Sequence, residues 1–114
     1  MSIKFTPHPY LMKNFNDILA TFSDINNIKE IKLFNANGYE TGNILNIPGS
    51  QGSIKLYNHL FLIFGELNKN AAIEGLYLYC EHVEDAKNNP GKHPNIDRLL
   101  DIVKTKETLR IEII

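Results

Sequence analysis

Four histidines, one cysteine and a run of carboxylates are the side chains through which this 114-residue chain could do chemistry. Histidine shuttles protons near neutral pH and is a common metal ligand. His82 and Asp85 stand three apart and Glu81 and Asp85 four apart, so a helix through them would offer two ligands from one edge. A third ligand would have to come from His59 or His93; His8 lies near the start of the sequence. No HxxxH or CxxC spacing accompanies them, and neither a metal site nor a cofactor is expected. Cys80 would need a positive neighbour to ionise. His82, two residues on, points to a different side of a helix, while Leu76 and Val83 share the face of Cys80. The thiol is therefore expected in the core, and no catalytic set is expected anywhere in the chain.

Two loops hold the remaining candidates. In "PGSQGS", Gly49, Ser50, Gly52 and Ser53 precede a helix whose first N–H groups attract anions, and Lys55 adds a charge. The stretch lacks the Lys-Ser/Thr pair of a P-loop and the GxGxxG of a dinucleotide fold, so the simpler expectation is that Ser50 or Ser53 caps the helix. In "NNPGKHPNIDRLL", Asn95 is expected to be the N-cap of a helix from Ile96 to about Thr105, with Asp97 well placed in its first turn. Pro90-Gly91 makes the preceding turn and Pro94 stiffens the link, leaving Lys92 and His93 as the unassigned pair.

The elements that must position these residues follow from periodicity. Pro9 to Phe22 reads as a helix with Leu11, Met12, Phe15, Ile18, Leu19 and Phe22 on one side, entered through Pro7 and Pro9. Ile31 and Leu33 alternate with charged neighbours and Asn37-Gly38 follows, which predicts a hairpin of Ile28–Asn35 with Tyr39–Ile47 and a bulge or twist at Gly42. A central helix begins at Ile54. A longer one, through "NKNAAIEGLYLYCEHVEDAK", buries Ala72, Ile73, Leu76, Tyr79, Cys80, Val83 and Ala86, and Gly75 within it suggests a backbone packed close. Leu109, Ile111 and Ile113 alternate in a closing strand. The order α-β-β-α-α-α-β predicts a single α+β domain over residues 1–114, with a small three-stranded, largely antiparallel sheet and about four helices on one face.

Composition narrows the function classes. Twelve basic and thirteen acidic side chains nearly cancel, and only Arg98 and Arg110 are arginines, so nucleic acid is not an expected partner. "LFLIF" is the longest uninterrupted apolar string, far short of a membrane span. The single cysteine fits a reducing, cytoplasmic setting.

"PGSQGSIKLYNHL", "AAIEGLYLYCEHVEDAKNNPGKHPNIDRLL" and the hairpin resemble a family of small bacterial proteins known as a domain of unknown function. The likeness runs from the hairpin to the end and implies a small bacterial cytoplasmic protein. It carries no activity and no catalytic residues. The leading expectation for function is thus a non-enzymatic interaction module, with a homodimer as one form of it. Tyr77 and Leu78 would fall among Glu74, Glu81 and Asp85, and Leu62 among Lys55, Asn58 and His59, giving an acidic and a basic patch with apolar centres. The alternative is a small-molecule or anion-binding protein centred on Gly49–Ser53 and the Lys92–His93 loop.

Overall fold

Alternation of Ile31, Lys32 and Leu33 sends one face of the first strand into the interior, where both apolar side chains are fully buried. The computed structural model describes residues 14–114. Pro7, His8 and the first part of the expected N-terminal helix, Pro9 to Lys13, lie outside the described residues. Strand β1 (Glu30–Phe34) pairs antiparallel with β2 (Glu40–Leu45) and, along its other edge, with β3 (Arg110–Ile113), giving the order β2-β1-β3. The turn is built by Asn35, whose carbonyl accepts from the Gly38 N–H and whose Oδ1 accepts from the N–H groups of Asn37 and Tyr39. Gly38 takes the positive φ of 84° that this turn needs. Leu33 faces Gly42 while Phe34 faces Glu40, so Thr41 is the extra residue of a bulge beside Gly42.

Helix α1 (Phe15–Leu19) precedes the sheet, and four more follow the hairpin among the described residues: α2 (Gln51–Phe64), α3 (Lys69–Tyr79), α4 (His82–Asn88) and α5 (Pro94–Thr105). The core fills the space between these helices and Ile31, Leu33, Ile44 and Ile111 of the sheet. Gly75 is the meeting point of three helices: a Cβ there would lie 2.7 Å from Leu99 Cδ1 and 3.0 Å from Leu60 Cδ1. Leucine side chains, and not a backbone, occupy the space that glycine leaves.

The expected helix through Lys87 is two helices. Cys80 sits at φ 52°, ψ −122°, where its N–H bonds back to the Tyr77 carbonyl and the chain turns before α4. The break makes five helices instead of about four, and it separates two apolar faces that a single helical wheel merges. As a result Leu78, expected on the polar side, is fully buried, while Ile73, expected inside, is 36% exposed. Helix α5 also starts earlier than its apolar run. Pro94 takes the first helical position, where its missing N–H does no harm, which moves the N-cap to His93 and puts Asn95 inside the first turn. No helix among the described residues is long and apolar enough to cross a membrane.

Candidate functional site

The loop ahead of α2 turns at Gly49, with φ 97°. Ser50 does not cap the helix: its hydroxyl folds back and donates to the carbonyls of Leu45 and Ile47. Ser53 does not cap it either, because its Oγ is 2.7 Å from the Tyr79 hydroxyl. Both serines expected as caps thus serve other partners, and among the described residues the first N–H groups of α2 receive no side-chain acceptor. Gly52 has a packing role. A Cβ there would come within 3.1 Å of Phe15 and Leu19, so a side chain would press against α1 as it lies over the loop. Lys55 is half-buried and stands away from the cleft described below.

The second loop is organised by Asp85 on α4. Its Oδ2 lies 2.6 Å from His93 Nε2 and 3.0 Å from Lys92 Nζ, and its Oδ1 accepts from Asn89 Nδ2 at 3.1 Å. The hydrogen bond from His93 and then that from Lys92 hold the Asp85 carboxyl below its ordinary pKa. His93 is the N-cap residue of α5, and like Ser50 it provides no side-chain cap. Neither of these two helices, 14 and 12 residues long, has a side-chain N-cap among the described residues, although at α5 Pro94 has no N–H and the Ile96 and Asp97 N–H groups already donate to the His93 carbonyl, which leaves the Asn95 N–H.

Both ends open on the same cleft, of about 540 Å³. Gly49 to Ser53 form one wall, and Lys92 to Ile96 the other, with Tyr79 and His82 between them. Phe15 stacks on Tyr79 with ring centroids 5.2 Å apart and meets the edge of His82 at 5.1 Å, while Glu81 Oε1 accepts the Phe15 N–H at 3.0 Å. Glu81 thus pins α1 at the rim. The arrangement gives polarised N–H groups, an ammonium and an imidazole around one volume, which is suited to holding negative charge.

The acidic helix edge does not gather metal ligands. Asp85 does meet His93, and the His82 and His93 ring centroids are 6.0 Å apart, but His59 stacks on Phe22 at 4.0 Å instead of joining them. Among the described residues no group of three or more His, Cys, Asp or Glu side chains is placed to hold a metal ion. Cys80 is half-buried, its thiol donates to the Tyr77 carbonyl, and burial raises its pKa, so thiolate chemistry is disfavoured.

The apolar surface expected to bind a partner is divided by the same geometry. Leu62 and Tyr77 are exposed, Leu78 belongs to the core, and Glu81 and Asp85 are tied to Phe15 and to the Lys92–His93 loop. Sequence reasoning missed the polar cluster of Tyr57, Asn95 and Arg98. There the Tyr57 hydroxyl donates to the Asn95 carbonyl, and Arg98 Nη1 donates to the Tyr57 oxygen at 3.0 Å. Burial pushes the Tyr57 pKa up to about 12, against the opposing effect of Arg98. The available signal was the scarcity of arginine, with Arg98 one of two, set on a helix otherwise read for its apolar stripe.

No curated protein and no solved structure matches the chain. Residues 15–113 match the model of DUF2322, described as an uncharacterized protein conserved in bacteria, and the chain belongs to that family.

Proposed function

We propose that the protein binds a small anionic ligand in the cleft between the N-termini of α2 and α5. The observation that carries this reading is the convergence on one volume of Lys92, His93 and two helix N-termini that lack side-chain caps among the described residues. Asp85 offsets part of the positive charge, so specificity comes from the directed N–H groups more than from net attraction. A single cysteine without a disulfide supports a reducing, cytoplasmic setting. Titration with phosphate, nucleotides and small carboxylic acids, followed by amide NMR, tests the reading. Saturable shifts at Gly49 to Ser53 and at Lys92 to Asn95 are expected. Lys92→Gln should weaken binding several-fold, as should added salt, because exposed charges are screened within about 10 Å at 0.1 M ionic strength. Two unresponsive loops across that panel would overturn it.

A second reading, an interaction module with a homodimer as one form, is favoured by Leu62 and Ile63. These consecutive residues near the end of α2 are 60% and 63% exposed.

A further inference from the structure

Arg98 holds its guanidinium in a fixed plane. Its Cζ lies 5.5 Å from the centre of the Tyr57 ring, and Nη1 donates to the Tyr57 hydroxyl and to Asn95 Oδ1, both at 3.0 Å. These contacts use one of its three nitrogens. Among the described residues Nε and Nη2 have no acceptor, and none of the ion pairs involves Arg98. Neither nitrogen is sealed from solvent.

Gly42 explains why that edge stays open. A Cβ at this position would lie 2.8 Å from Nη2 and 3.3 Å from both Nε and Cζ. Any other residue would crowd the Nε–Nη2 edge, the pair of donors that matches the two oxygens of a carboxylate. A half-buried guanidinium ordinarily recruits a carboxylate from its own chain, because its desolvation is otherwise uncompensated. Here it has none.

Arg98 lines a second cleft, of about 420 Å³, which shares only Pro94 with the first. Its walls also carry three carboxylates: Asp97, whose Oδ2 accepts from the Gly91 N–H, and Asp101 and Glu107, neither of which makes an ion pair or a side-chain hydrogen bond among the described residues. Those three negative charges disfavour a dianion. A ligand that answers both the open edge of Arg98 and the unpartnered Asp101 and Glu107 carries one carboxylate and one ammonium. The geometry points to a binding site for a free α-amino acid, its carboxylate held side-on by Arg98 and its ammonium facing Asp101 and Glu107.

The test is an amide NMR titration of the full chain with the common amino acids, using propionate and propylamine as single-charge controls. At least one amino acid should give saturable shifts at Thr41, Gly42, Arg98 and Asp101, and should bind about tenfold or more tightly than either control. Arg98→Lys keeps the charge and removes the fork, and Asp101→Asn removes an ammonium partner; each should weaken binding by about tenfold. Asp101 is exposed, so Asp101→Asn reads out the site without disturbing the core. The proposal is overturned if no amino acid saturates, if propionate binds as tightly, if a folded Asp101→Asn variant keeps its affinity, or if the shifts fall on Gly49 to Ser53 and Lys92 to Asn95 instead.

Discussion

His59 lies against Phe22 with the two rings nearly parallel, 7° apart, and burial lowers its pKa while Glu74 opposes the shift. The imidazole is therefore neutral in the folded protein at pH values where the unfolded chain already binds a proton. Stability contributed by this residue is full above the unfolded value of 6.5 and declines as pH falls from there toward the lowered folded value. Urea unfolding between pH 7 and pH 5, compared with His59→Gln, should show the variant losing less stability over that window; parallel curves would refute the assignment. Some residue roles were open to a reader of the sequence and others were not. Ile31 and Leu33 reveal their burial by alternation with Glu30 and Lys32, because strand geometry alone decides which way they point. Arg98 reveals no more than its rarity, since its partners Tyr57 and Gly42 come from distant parts of the chain.

At the scale of an element, the junction of α3 and α4 concentrates backbone strain. Cys80 holds a positive φ that a residue with a Cβ adopts at a cost of about 1 kcal/mol or more. Cys80→Gly should raise unfolding stability by about 1 kcal/mol by chemical denaturation, despite the greater freedom glycine gives the unfolded chain. A neutral or destabilising outcome would mean that the contacts of the side chain outweigh the strain. This break was invisible in sequence because cysteine carries no turn signal and the apolar spacing continues across it. The phase of α3 was misread for a related reason. Its inner face is made partly of Ala71, Ala72 and Gly75, which are weak as hydrophobic markers but allow Leu99 and Leu60 to approach. The hairpin, by contrast, was legible because its turn chemistry is local, with Asn35 and Gly38 satisfying it within five residues.

For the molecule as a whole, the α+β architecture and the addition of a third strand follow from counting apolar strands that cannot stand as a pair, whereas the central position of β1 is set by tertiary packing that the strand count does not encode. The convergence of two loops on one cleft depended on where α5 begins, and there Pro94 and Asn95 offered competing starts. Self-association is a property of this scale. If the exposed end of α2 is used between copies, light scattering will show a dimer at high concentration, and Leu62→Glu with Ile63→Glu will return it to monomer while leaving the circular dichroism unchanged. A wild-type protein that stays monomeric throughout would remove the homodimer from consideration.

The sheet order also dictates a sequence of events in folding. The β1–β2 hairpin closes through a five-residue turn, whereas the other edge of β1 must wait for β3, with the Lys29 N–H donating to the carbonyl of Ile114. Until that distant segment arrives, the central strand is an open edge, able to pair with the same strand of another chain. Slow closure of the loop that spans four helices therefore sets the interval in which nascent chains are prone to aggregate, and conditions that delay β3 lengthen that interval without altering a single contact of the finished fold.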